Sequence, residues 1–179
     1  MKKLTLLLLT FLYLNSCQLG DKEQTISIEN KYLLTIPSFL KEGSKLNEDA
    51  SLQYQSLLRS FYVIVIDETK NEMLKALLEN NLLDVYANDI NGYSELIISS
   101  FEQSISNAEK SEVIDTLVNN MPARLLSIKG RVEGVDIFYS IAFMEGKTRY
   151  YQVLAWTLAG KEDQYVDEMN RIMYSLIEL

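Results

Sequence analysis

The chain has one cysteine, Cys17, and no histidine. No other feature limits its fold as much, because neither a disulfide nor a cysteine–histidine metal site can cross-link it. Cohesion must therefore come from buried apolar surface. The 179 residues are 47% apolar and 23% charged, which suits one globular domain rather than two. Without imidazole there is no histidine base, no triad that depends on one, and no histidine metal ligand. The 17 basic and 25 acidic side chains leave a formal charge of −8. That balance opposes nucleic acid, which is held largely by lysine and arginine displacing counterions. No Walker loop, nucleophile elbow, dinucleotide fingerprint or paired-acid motif occurs, so the expectation is a non-enzyme without a cofactor.

The amino terminus reads as an address. Met1-Lys2-Lys3 is positively charged, and residues 4–14 are apolar apart from Thr5 and Thr10. That run is too short for a bilayer-spanning helix of about 20 residues and has the form of a signal peptide. It ends in Leu14-Asn15-Ser16-Cys17, which resembles the bacterial lipobox, with Asn15 an uncommon choice at the tolerant position. The resemblance implies that the Cys17 thiol receives a diacylglyceryl group from a membrane lipid as a thioether, displacing that lipid's headgroup, that the chain is then cut between Ser16 and Cys17, and that lipid holds the protein to a membrane. Residues 1–16 are then a lipoprotein signal peptide, 17–24 a flexible tether and 25–179 a single domain. Cleavage would leave 163 residues and, with Lys2 and Lys3 gone, a charge of −10.

Within the domain, Ile26 and Ile28 alternate with polar residues, Asn30-Lys31 makes a turn, and Tyr32, Leu34 and Ile36 alternate up to Pro37, predicting a hairpin. Residues 51–56 read as a strand. Residues 61–67, Phe-Tyr-Val-Ile-Val-Ile-Asp, read as a strand buried on both faces. Thr69 and Glu72 have the spacing of a capping box, with Met73, Leu74, Leu77 and Leu78 as the apolar face of the helix it opens. Tyr93, Leu96, Ile97, Phe101, Ile105 and Ala108 predict a second helix, with Gly92 near its first turn. Residues 123–132, 135–144 and 149–158 predict a meander whose turns place Gly134 and Gly146 at positive φ. Alternation over 135–144 suggests one face against a core. Gly160 stops the last strand, and a helix from about Glu162 buries Val166, Met169, Ile172, Met173, Leu176 and Ile177.

These elements predict an α+β fold, an antiparallel sheet with helices packed on it. Their order, with Tyr32-Leu33-Leu34-Thr35-Ile36-Pro37 early and residues 149–157, Arg-Tyr-Tyr-Gln-Val-Leu-Ala-Trp-Thr, before a final amphipathic helix, resembles the Mog1/PsbP-like family, including its DcrB-like lipoproteins. The resemblance implies an α/β sandwich and a binding or assembly role with no shared catalytic apparatus. The expected function is a lipid-anchored, non-enzymatic envelope protein that binds a protein partner through its sheet or cleft. The alternative is a carrier or sensor of a small ligand held between helices and sheet.

Three groups of side chains invite a functional reading. Tyr150, Tyr151 and Trp156 share a strand, with Tyr150 and Trp156 on one face and Tyr151 on the other, so one set could form an aromatic ledge for a partner. Asp67, Glu68 and Glu72, and separately Asp84, Asp89 and Asn91, carry oxygens but lack the spacing of a calcium loop. Helix capping and a solvated loop explain them better. Lys129, Arg131, Lys147 and Arg149 could make a basic patch, although charges that blunt sheet edges are the simpler account.

Overall fold

The computed structural model describes residues 22–179. The expected signal peptide and Cys17 lie outside the described residues. Strands β1 (Glu23–Ile28) and β2 (Tyr32–Pro37) form the first hairpin, with Asn30 at φ 57° in its turn. Pairing begins at Glu23 with Pro37, so Glu23 and Gln24 belong to the strand rather than to a tether.

Strands β3 (Lys41–Glu42), β4 (Ala50–Ser56) and β5 (Phe61–Thr69) lead into helix α1 (Lys70–Glu79). The capping box is present as predicted. The Thr69 hydroxyl accepts from the Glu72 amide at 3.1 Å, while the Glu72 carboxylate accepts from the Thr69 amide at 2.7 Å. Helix α1 buries Met73 and Leu77, whereas Leu78 is exposed. Helix α2 (Ile90–Ser104) stops earlier than its apolar spacing suggests. Ile105 turns extended, and Ala108 lies in a short edge strand, β6 (Ser106–Lys110).

Strands β7 (Ile114–Val118), β8 (Met121–Val132), β9 (Val135–Glu145) and β10 (Arg149–Leu158) follow, then helix α3 (Glu162–Met173) and strand β11 (Ile177–Glu178). Ile177 therefore pairs with Leu33 of β2 and is largely exposed, instead of extending the buried face of α3. Glu133 and Gly134 both take positive φ, as a two-residue hairpin turn requires. Gly146 does not. It is needed for close approach, since a Cβ there would collide with the Glu178 carboxylate and the Tyr151 ring.

All pairings are antiparallel. The large sheet runs β3-β4-β5-β10-β9-β8-β6, with β7 also on β8, and a smaller sheet runs β1-β2-β11. The smaller sheet and α3 cover one face of the large sheet through Leu34, Ile36, Met169 and Ile172, against Val63, Val153 and Ala142. Helices α1 and α2 cover the other face through Met73, Leu77, Tyr93 and Ile98, against Ile64, Ile141 and Phe143. Strand β9 thus packs on both faces, not on one as its alternation suggested. Each fully buried aliphatic or aromatic side chain contributes about 1.5–3 kcal/mol, and two cores share this load in place of cross-links.

Candidate functional site

Strand alternation places Tyr62, Ile64, Ile66 and Glu68 of β5 on the α1/α2 face of the sheet. The β5–β10 register sets Trp156, Leu154, Gln152 and Tyr150 beside them in the same order. Tyr139 of β9 pairs with Trp156. One surface therefore grades along its length from aromatic, through aliphatic and amide, to acidic. Helix α2 crosses this face and leaves a cleft of about 520 Å³ lined by Ile64, Ile97, Phe101, Leu154, Trp156 and Gln152, among others. The loop before β4 forms a further wall at Leu46 and Asn47, whose amides both donate to the Gln53 side-chain carbonyl, at 2.8 and 3.2 Å.

Aromatic stacking orders one end of the cleft. Trp156 lies on Tyr62 with centroids 5.2 Å apart, Tyr139 is 6.0 Å from Trp156, and Phe101 meets Tyr139 edge-on at 5.7 Å. These four rings are half-buried. Burial raises the Tyr139 phenol above its ordinary pKa, so it stays a neutral donor. At the other end an adjoining hollow of about 540 Å³ shares Ile66, Ile97 and Gln152 with the cleft and is bounded by Asp49, Glu68 and Glu72. Burial, together with the charges of Glu72 and Asp49, raises the Glu68 carboxyl above the usual range. Hydrogen bonds from the Thr69 side chain and amide lower that of Glu72.

The predicted ledge residues separate. Tyr150 is 1% exposed and stacks under Tyr93 at 4.6 Å, and burial pushes its phenol up to about 12. Tyr151 is also 1% exposed, on the opposite face, where its hydroxyl donates to Glu178 at 3.2 Å. Neither is available to a partner. Trp156 alone stays at the surface, and its companions Tyr62, Tyr139 and Phe101 come from other elements. Gln152 joins them on the cleft floor, and its signal in the sequence is a lone amide within the apolar run from Tyr150 to Leu154.

The charged groups resolve into structural pairs. Asp67 points away from the cleft, its side chain 1% exposed, held by Lys31 at 2.9 Å and Arg149 at 2.6 Å. Burial alone would raise its carboxyl, but the Ser51 hydroxyl, Lys31 and Arg149 outweigh that and hold it below the ordinary range. Glu72 caps a helix as expected, while Asp67 and Glu68 do not. Asp89 caps α2 by accepting from the Asn91 and Gly92 amides at 2.9 Å. Lys129 pairs with Glu162 and Arg131 with Asp136, so with Arg149 on Asp67 the basic patch is largely neutralised. Among the described residues no group of three or more acidic, cysteine or histidine side chains could hold a metal ion.

No protein-family model matches the sequence, and no curated protein does. Solved structures do match the fold. Cyanobacterial PsbP from Synechocystis is similar over 93% of this chain and 99% of its own, with a TM-score of 0.59 at 14% identity. The fold is PsbP-like. PA94 of Pseudomonas aeruginosa, a protein of unknown function, covers 87% of this chain and 96% of its own, with a TM-score of 0.55 at 12% identity. LpqN of Mycobacterium tuberculosis, involved in cell envelope biogenesis, covers 88% and 90%, with a TM-score of 0.54 at 9% identity. This PsbP-like fold agrees with the α+β architecture and the family resemblance read from the sequence, and it carries the aromatic cleft on its α1/α2 face.

Proposed function

We propose that the protein is a lipid-anchored, non-enzymatic component of the bacterial cell envelope that holds a segment of another protein in the cleft between α2 and the sheet. The observation that carries this reading is the half-buried aromatic cluster of Trp156, Tyr62, Tyr139 and Phe101 at a cleft of about 520 Å³. Aromatic side chains with a polar edge, partly desolvated and unpaired on one side, are the usual energetic centre of an interface. An envelope location is supported by the fold shared with LpqN and by the lipobox-like run ending at Cys17.

Anchoring is further supported where the described chain begins. The Lys22 carbonyl accepts from the Ser38 amide, and the neighbouring Phe39 lies under the Arg59 guanidinium at 3.9 Å. Arg59 follows Leu57 and Leu58, which are 72% and 93% exposed at the β4–β5 turn. Lys22 and the two exposed leucines thus lie toward one end of the described chain, an arrangement suited to a lipid surface.

A photo-crosslinking side chain at Phe101, introduced into the anchored protein in its native envelope, tests the partner. A discrete protein adduct at Phe101 that is absent from the same probe at Glu168, on α3, is the expected result. Adducts equal at both positions would count against the cleft. A second reading, a small-ligand carrier, is favoured by the cleft volume, which falls within the range of about 300–1,000 Å³ usual for such sites. Native mass spectrometry of the envelope-purified protein distinguishes it, since a stoichiometric small molecule would then accompany the chain.

A further inference from the structure

We infer that the segment taken by this cleft is an extended peptide whose apolar or aromatic run ends in a lysine or arginine, with the cation set against Glu68 and the backbone paired to Gln152. The inference rests on the proposed protein-binding role and names the chemistry of the partner.

Three independent features converge on it. The first is the gradient along the floor. From Tyr62 to Glu68 on β5 the floor passes from a ring through aliphatic side chains to a carboxylate over six residues of strand, and beside it β10 passes from Trp156 through Leu154 to the Gln152 amide before Tyr150 is covered by Tyr93. At about 3.3 Å per residue this is about 20 Å, the reach of an extended segment of similar length. The two hollows adjoin, sharing Ile66, Ile97 and Gln152 in their linings, so an occupant laid across these residues meets both ends.

The second feature is Gln152. It is 4% exposed, lines both hollows, and its side-chain amide makes no hydrogen bond among the described residues. Among the described residues no fully buried side-chain nitrogen or oxygen lacks a partner, so the Gln152 amide is reached from the hollows, where it offers both a donor and an acceptor. A peptide unit offers the same pair in return. An aliphatic chain or an aromatic ring offers neither, which favours a peptide over a simple amphiphile at the middle of the cleft.

The third is uncompensated negative charge. Glu68 and Asp49 make no ion pair among the described residues. The nearby cations are already engaged, Lys70 with Glu145 at 2.6 Å and Arg149 with Asp67. Burial beside Glu72 and Asp49 leaves Glu68 unfavourable as a carboxylate, and an incoming ammonium or guanidinium would relieve that.

The only tryptophan in the chain is Trp156, so its fluorescence reports occupancy of the cleft directly. The full chain is titrated with tryptophan-free peptides of alternating phenylalanine and leucine that end in two lysines, two serines or two glutamates. The lysine peptide is expected to bind at least about tenfold more tightly than the serine peptide, and the glutamate peptide more weakly still, a gap typical of one charge-assisted contact. Glu68→Gln should close the lysine–serine gap, and Gln152→Leu should weaken all three peptides alike. Equal affinity for lysine and serine peptides would overturn the inference while leaving the cleft as a protein-binding site. If no peptide perturbs Trp156 the inference also fails, and crosslinking from Phe101 then decides the broader reading separately. Tighter binding of monomeric dodecylammonium than of the lysine peptide would overturn the peptide and assign the cleft to a small cationic amphiphile.

Discussion

Trp156 and Tyr62 are directly paired across β10 and β5, and their rings stack 5.2 Å apart with planes inclined by 12°. The register of two strands, which no local sequence pattern specifies, creates this contact. Trp156→Ala should reduce crosslinking from Phe101 at least about tenfold, while global stability falls by only about 1–2 kcal/mol because the ring is half-buried. Trp156→Phe should retain most of both. Denaturant titration beside adduct yield separates loss of a contact surface from loss of the fold.

Asp67 joins β5 to the first hairpin through Lys31 and to β10 through Arg149, with its carboxylate nearly inaccessible. Asp67→Ala would leave both cations without their partner and should cost about 3 kcal/mol at pH 7. The native carboxyl pKa is held low, so this contribution is fully present above the ordinary aspartate value of about 4. It is lost as pH falls through the depressed native value. Urea melts from pH 7 to 2 should therefore show wild type and Asp67→Ala converging on the acid side.

Glu68 has the opposite sign. Its native carboxyl pKa is raised by burial and by Glu72 and Asp49, so its ionisation disfavours the fold. Stability falls as pH rises through the interval between the unfolded value, about 4.3, and the raised native value. Glu68→Gln should melt at a higher temperature than wild type at pH 7, and the difference should shrink as pH approaches 4. A gain in stability joined to a loss of lysine-peptide affinity would mark Glu68 as kept for binding.

The Thr69–Glu72 box closes the start of α1. Thr69→Ala should cost about 1 kcal/mol, and hydrogen exchange should show the loss concentrated in the amides of residues 70–73.

Leu57 and Leu58 stand out from the β4–β5 turn near the start of the described chain. In a Cys17→Ser background, replacing both with serine should weaken sedimentation with zwitterionic vesicles at least about tenfold, given about 1.5–3 kcal/mol for each leucine that inserts. Unchanged sedimentation would leave lipid at Cys17 as the whole of any membrane attachment.

Elements whose signals are local were legible in the sequence. The capping box at Thr69, the hairpin turn at Glu133-Gly134 and the apolar periodicity of α3 each depend on neighbours within about one turn of chain, where propensity and hydrogen bonding act. The short edge strands β6 and β7 were not legible. Ser106–Lys110 and Ile114–Val118 carry little apolar pattern and are strands only because the long edge of β8 is there to pair with.

The sequence by itself determined an α+β fold without disulfide or histidine chemistry, since residue types and their periodicity need no partner to be counted. Tertiary structure decided which aromatic residues line the cleft. Alternation placed Tyr150 and Trp156 on one face, but the position of α2 buried the first beneath Tyr93 and left the second beside an open cleft. It likewise brought Gln152 and Glu68 onto the same floor, from strands that lie 82 residues apart where Arg149 meets Asp67. Such placements depend on how strands pair and where helices cross them. They are properties of packing between distant segments, which composition and spacing do not contain.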